Sequence, residues 1–274
     1  MHFCIIGTGR CGSTLLKNMF NLHPDVFVFN ETHWIPRMYD MFGTGPGGAN
    51  ELINVLLNTY HISGDKVLPV KKEQLLELFS TNERVTVQQF CNRIGLMLAG
   101  RHGKRMWADK TPDYGPWMFC IQRLWPNCKF VHLIRHGANV AVSMSRHPGY
   151  QWLVSANEDY WPPVSFNKYF SAVSASENPV EAYGDLWCRR LKRIRNEAQL
   201  LKGNSYREFH LESFASDIAG TLRAIADFVD LPFSEEWLLK SQEILDVNRI
   251  CNARHSSDAL KGHALDLLHE IGYT

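Results

Sequence analysis

The chain opens on a short apolar run, Phe3 to Ile6, that ends at Gly7. Such a run, closed at once by glycine, predicts a strand buried on both faces, as in a parallel sheet. After a glycine-rich turn, Leu15, Leu16, Met19 and Leu22 fall on one side of a helical pattern, and His23-Pro-Asp25 predicts its stop. Val26 to Phe29 predicts a second buried strand, so the first thirty residues read as one β-α-β unit. Lys129 to Ile134 predicts another strand, followed by a helix from about Ala138 to Ser145. From 148 to 163 the Tyr- and Trp-rich pattern predicts irregular chain. Pro179 predicts the start of a long helix with Trp187, Leu191, Ile194 and Ala198 on one stripe. Tyr206 to Leu211 predicts a last core strand. Ser213 predicts the cap of a helix running to Val229, and the tail from Asn248 is polar and then helical.

Between the early strands and the middle one the pattern changes. Gly43 to Asn50 predicts a loop, and Glu51–Tyr60, Lys72–Phe79 and Val87–Ala99 carry helical spacing. The expectation is one domain over 1–274, with a helical insertion or lid over approximately 38–105. Strands alternating with helices predict an α/β fold with a central parallel sheet and helices on both faces.

Composition narrows the function classes. With 274 residues, 45% of them hydrophobic, one large core is affordable. Lys and Arg number 29 against 28 Asp and Glu, a net charge of +1. No global field points to nucleic acid or a membrane surface, so any anion site must be built locally. The seven cysteines are odd in number and none has CxxC spacing, which predicts reduced thiols. No run of about 18 apolar residues predicts a membrane span, and no basic-then-apolar leader opens the chain. The expectation is a cytoplasmic protein without nucleic-acid or integral membrane contact.

Candidate chemistry begins at Gly7-Thr-Gly-Arg-Cys-Gly-Ser-Thr14. A glycine turn between a strand and a helix gathers backbone N–H groups at a helix N-terminus, a cradle for phosphate. Arg10 adds a forked cation. The loop is read as neither GxxxxGK[ST], since Ser13 follows Gly12 directly, nor GxGxxG. Taken alone, a tight turn without a ligand explains the segment equally well.

Gly9-Arg-Cys-Gly-Ser-Thr-Leu15 resembles the loop by which sulfotransferases hold the 5′-phosphosulfate of 3′-phosphoadenosine 5′-phosphosulfate (PAPS). Phe130-Val-His-Leu-Ile-Arg135, with Ser143 beyond, resembles their 3′-phosphate element. Asn21-Leu-His-Pro-Asp-Val26, Glu31-Thr-His-Trp-Ile-Pro-Arg37 and Trp107-Ala-Asp-Lys-Thr-Pro112 look like segments of tyrosylprotein sulfotransferases and their bacterial relatives. The resemblance implies a sulfotransferase, P-loop-like fold and sulfuryl transfer from PAPS to a hydroxyl-bearing acceptor: protein tyrosine, carbohydrate, lipid or small alcohol. The product would be adenosine 3′,5′-bisphosphate, with no metal required.

The same resemblance distributes roles. Arg10, Cys11, Gly12, Ser13 and Thr14 take the 5′ side of the nucleotide, and Arg135 and Ser143 the 3′-phosphate. Glu31 becomes the general base, with His33 as the alternative because cytosolic sulfotransferases use histidine. Lys110 and Arg10 stabilise the transferring sulfuryl group. Arg37 and His33 contact the acceptor. The late run Arg254-His-Ser-Ser-Asp-Ala-Leu-Lys-Gly262 matches the family's closing segment loosely and makes Arg254 a donor contact. Without the resemblance, Glu31 reads as a capping or solvated carboxylate, Lys110 as a lysine at a helix start, and Trp107 as core. Two rival readings stand beside this one. A P-loop-type nucleotide kinase lacks its lysine and an acidic residue on the later strand. A non-catalytic nucleotide-binding protein on the same fold is not excluded by fold alone.

Overall fold

The strands in chain order are β1 (Phe3–Gly7), β2 (Val26–Asn30), β3 (Pro46–Gly48), β4 (Arg84–Thr86), β5 (Met106–Lys110), β6 (Lys129–Ile134) and β7 (Tyr206–His210). They come from a computed structural model that describes residues 1–60, 68, 70–80, 82–161, 178–251 and 260–273. The helices of the first half are α1 (Ser13–Leu22), α2 (Trp34–Phe42), α3 (Ala49–Leu57), α4 (Lys72–Leu78), α5 (Val87–Arg101), α6 (Met118–Leu124), α7 (Gly137–Ser145) and α8 (Pro148–Ser155). Those of the second half are α9 (Val180–Ala198), α10 (Ser213–Ser216), α11 (Ile218–Phe228), α12 (Glu235–Glu243), α13 (Val247–Cys251) and α14 (His263–Glu270).

Five strands form one parallel sheet in the order β2-β5-β1-β6-β7. β3 and β4 form a separate antiparallel ribbon. Side chains alternate across β1: Cys4 and Ile6 join the core on one face, with Phe29, Trp107, Phe90 and Phe130. Phe3 and Ile5 join the other, with Leu16, Met19, Leu133 and Leu222. Helices therefore cover both faces, as the alternating pattern predicts. Because every strand of the sheet runs the same way, all carboxyl ends lie along one edge, where open α/β sheets bind ligands. No described helix is long and apolar enough to cross a membrane.

Gly7, Gly9 and Gly12 do carry GxGxxG spacing, against the expectation above. The strand order decides between the two loop types. In the dinucleotide-binding order the helix after β1 leads to the adjacent strand. Here β5 lies between β1 and β2.

Four elements correct the sequence reading. β5 is a central strand that no apolar run announces; its Asp109 and Lys110 are buried instead. The stretch after 148 is not irregular at first: Pro148 opens α8, His147 accepts from Gly149 N–H at 3.2 Å, and Tyr150, Trp152 and Leu153 are buried. Ser213 starts only the short α10. The longer α11 is capped by Asp217, which accepts from Gly220 N–H at 2.8 Å, because a carboxylate at that point satisfies an orphan donor. The buried stripe of α1 is Leu16, Met19 and Phe20, with Leu15 and Leu22 only half-buried.

Candidate active site

The glycine loop turns β1 into α1 through three left-handed residues, Gly9 (φ 81°), Arg10 (φ 54°) and Gly12 (φ 90°). Space as well as φ demands glycine. A Cβ on Gly9 would lie 1.7 Å from the Tyr150 hydroxyl, and one on Gly12 would lie 2.6 Å from Leu211. No side chain caps α1, so its first-turn N–H groups remain at the carboxyl edge of the sheet, a place suited to an anion. Burial pushes the Cys11 thiol up from its usual range, which makes it a packing residue rather than a nucleophile.

Three of the expected donor contacts meet beside this loop. Arg10 Nε donates to Ser143 Oγ at 3.0 Å. Arg135 ends β6 and donates to the carbonyls of Arg10 and Arg249, each at 3.4 Å. Its Nε is buried without a partner among the described residues. Burial lowers the Arg135 guanidinium from its ordinary value, with Glu212 opposing. A buried guanidinium with an unused donor fits an incoming phosphate, since each N–H seeks an acceptor.

Glu31 and Lys110 form a second group. β2 and β5 pair in parallel with Asn30 opposite Lys110. Glu31 follows directly, and its N–H donates to the Lys110 carbonyl at 2.7 Å. Lys110 Nζ donates to Glu31 Oε1 at 2.5 Å. The lysine side chain is 1% exposed and the glutamate 26%. His33 Nε2 stands 3.9 Å from Glu31 Oε2. Both Glu31 (φ 48°) and His33 (φ 54°) are left-handed, a strained backbone of the kind that clusters at functional sites. The structure thus brings Glu31, His33 and Lys110 together. It places Arg10 with Ser143 and Arg135.

Arg37 lies in α2, half-buried, and among the described residues forms no ion pair. Trp107 packs edge-on against Trp125 at 5.9 Å and is core. Arg254 lies outside the described residues.

Sequence reasoning missed a buried polar cluster behind the pair: Asp109, Thr32, Thr111 and Tyr114. The signal for it was the polar pair Asp109-Lys110, which no apolar run accommodates. It also missed Tyr150 above Gly9. That ring is held by Arg190, whose guanidinium lies 5.6 Å from Tyr150 and 4.4 Å from Tyr160 and pairs with Asp113.

A family model described as "Sulfotransferase family" matches residues 3–235. The nodulation protein NoeE of Sinorhizobium fredii (strain NBRC 101917 / NGR234) is 24% identical over 162 residues, 59% of this chain. The match spans 34% of that relative's own length. Among solved structures, the sulfotransferase domain from the curacin biosynthetic pathway superposes with a TM-score of 0.62 at 18% identity, covering 99% of this chain and 97% of that one. The sulfotransferase domain from the Synechococcus PCC 7002 olefin synthase gives 0.56 at 18% identity, covering 99% and 94%. At these identities the likeness is one of fold.

Proposed function

Because the chain belongs to the sulfotransferase family, we propose that it moves the sulfuryl group of PAPS to a hydroxyl acceptor with Glu31 as general base. The observation that carries this reading is the Glu31–Lys110 contact at the carboxyl edge of the sheet, beside an uncapped helix N-terminus. The acceptor oxygen forms a bond to sulfur as the bond from sulfur to the 5′-phosphate oxygen breaks. The electron pair of the broken bond stays on that phosphate, and the acceptor proton goes to Glu31. Lys110 offsets charge that develops on the bridging oxygen. Cys11, Gly12, Ser13 and Thr14 supply the loop that takes the 5′ side. Arg135, Ser143 and Arg10 take the 3′-phosphate, the group that distinguishes PAPS from ATP. His33 flanks the base, and Arg37, on the helix that follows, is assigned to the acceptor. The residues used need no metal.

Thermal shift with adenosine 3′,5′-bisphosphate tests the donor half. At about 100 times its Kd a ligand adds about 2.7 kcal/mol of stability. A clear rise with this nucleotide, and a smaller one with ADP, is expected; no rise at saturation would sink the reading.

A further inference from the structure

Asp109 and Lys110 are consecutive on β5, so their side chains leave the strand on opposite faces. Lys110 meets Glu31 on one face. Asp109 meets the next residue of the same turn on the other: Thr32 Oγ1 donates to Asp109 Oδ2 at 2.6 Å. Thr111 Oγ1 donates to Asp109 Oδ1, also at 2.6 Å, and accepts from Thr32 N–H at 2.9 Å. The Tyr114 hydroxyl lies 2.7 Å from Thr32 Oγ1 and accepts from Ile35 N–H at 3.3 Å.

The direction of every bond in this cluster follows from one fact. An ionised carboxylate only accepts, and each hydroxyl has a single proton. Thr32 and Thr111 therefore give their protons to Asp109, and Tyr114 gives its proton to Thr32. Two backbone N–H groups, those of Thr32 and Ile35, donate to the Thr111 and Tyr114 hydroxyls. The chain of donors starts on the backbone and ends on Asp109, with Thr32 at its centre between left-handed Glu31 and His33. Such a backbone is strained and persists only where its surroundings over-determine it.

We propose that Asp109 is a positioning residue: its buried carboxylate, bonded through Thr32 and Thr111, holds the Glu31–His33 turn in the shape that presents Glu31 to Lys110. The proposal rests on the reading of Glu31 as the base. Asp109 is 0% exposed, and burial lifts its carboxyl to about 6 against the pull of Thr111, Thr32, His33 and Lys110. Tyr114, Cys4, Cys91 and Cys128 also face it, and burial keeps all four neutral. A proton on Asp109 would reverse or remove one of the two threonine bonds and loosen the turn.

The test follows Asp109→Asn, Thr32→Val, Thr32→Ser and Glu31→Gln alongside the unaltered protein. Hydrogen exchange of the segment around Glu31 and Thr32 needs no acceptor. Transfer from labelled PAPS is followed on 2-naphthol, with release of sulfate to water as the acceptor-free arm. In the unaltered protein, protection of this segment and kcat should both fall as pH drops through about 6. In Asp109→Asn, protection and kcat should be about tenfold lower at neutral pH, since small misplacements of reacting groups carry large rate costs. The inflection near 6 should vanish, and affinity for adenosine 3′,5′-bisphosphate should stay unchanged. Thr32→Val should behave likewise and Thr32→Ser should restore both. Unaltered protection with the inflection retained in Asp109→Asn overturns the proposal. Should that variant not fold, equal protection and rate in Thr32→Val and Thr32→Ser overturn it instead. Full activity in Glu31→Gln would sink the base assignment, a separate failure.

Discussion

Glu31 and Lys110 are joined twice, by a 2.5 Å contact between side chains and by a 2.7 Å hydrogen bond from the Glu31 N–H to the Lys110 carbonyl. The ammonium is buried and the carboxylate is partly exposed. A buried charge without a partner costs several kcal/mol, and Glu31 is a partner of opposite charge for Lys110 in the interior. In the proposed reaction the incoming phosphosulfate competes for Lys110 and leaves Glu31 to take the acceptor proton. The pair thus couples donor binding to the release of the base.

Lys110→Met keeps length and removes charge. Transfer from PAPS should fall about 10²- to 10³-fold, the scale seen when one stabilising donor is removed from a reacting centre. Urea denaturation should show little loss, because an apolar side chain suits the buried site and Glu31 retains access to water. Steady-state kinetics on 2-naphthol reads the first effect. A variant retaining near-full kcat would remove Lys110 from the reaction.

Arg135→Met targets the buried donor that has no partner among the described residues. Loss of a charged hydrogen-bond partner costs about 1.5–3 kcal/mol, or about 10- to 100-fold in affinity. The loss should appear for adenosine 3′,5′-bisphosphate and not for ADP, so calorimetric titration of the two nucleotides should give converging affinities. Equal weakening of both would place Arg135 away from the 3′-phosphate.

Gly9→Ala and Gly103→Ala separate strain from crowding. Both glycines are left-handed, at φ 81° and 68°. A Cβ on Gly103 meets open space, whereas one on Gly9 meets the Tyr150 hydroxyl. Gly103→Ala should cost about 1–2 kcal/mol with nucleotide binding intact. Gly9→Ala should cost more and abolish binding, because Tyr150 or the loop must shift. Denaturation midpoints and thermal shifts of the two variants check this.

Stability should fall on mild acidification. Burial lowers the imidazoles of His2, His23, His132 and His136 from 6.5. Below 6.5 the unfolded chain binds protons that the folded one resists, so their contribution is present above that pH and lost as pH falls through the folded values. Asp109 acts the other way: raised from 3.8 to about 6, it favours the folded state fully below 3.8, and that contribution is lost as pH rises through about 6. The buried Met1 amine, lowered from 8.0 to about 5, acts in the same sense as the histidines and by itself loses more between pH 7 and pH 5 than Asp109 gains. Urea midpoints should therefore decline from about pH 7 to about pH 5; a flat or rising series would contradict the burial of these histidines.

The apolar strands were legible because a short hydrophobic run bounded by turn residues suits little besides a buried strand. β1, β2 and β6 lie where those runs predict them, and β7 lies within the Tyr206–Leu211 stretch although it carries charge. β5 was not legible, since its last two residues are charged and a local pattern gives no reason to bury them. The reason is tertiary: Glu31 neutralises Lys110, and Thr32 and Thr111 solvate Asp109 from outside the strand. The donor-side residues Arg135 and Ser143 could be selected from sequence, yet the bond from Arg10 to Ser143 depends on strand order. Tyr150 was lost with α8, whose aromatic, Pro- and Gly-bearing sequence masks a short helix.

The chain leaves β2, builds α2, α3, the β3–β4 ribbon, α4 and α5, and returns to β5, the strand hydrogen-bonded to the one it left. The two strands are parallel, so the excursion leaves the carboxyl edge of the sheet at Asn30 and re-enters at the amino edge at Met106, which pairs with Val26 about 13 Å along the strand. Doubling a flexible loop raises its closure cost by only about 0.6 kcal/mol. Length can therefore change in the turns of the excursion while Glu31, Lys110 and the glycine loop keep their places, but its buried residues, Phe90 among them, share a core with Cys4 and Ile6 of β1. Under the proposed function the molecule is a donor-handling frame, and changes of acceptor preference, by evolution or by design, have their natural entry point in the turns of this excursion rather than in its packed helices.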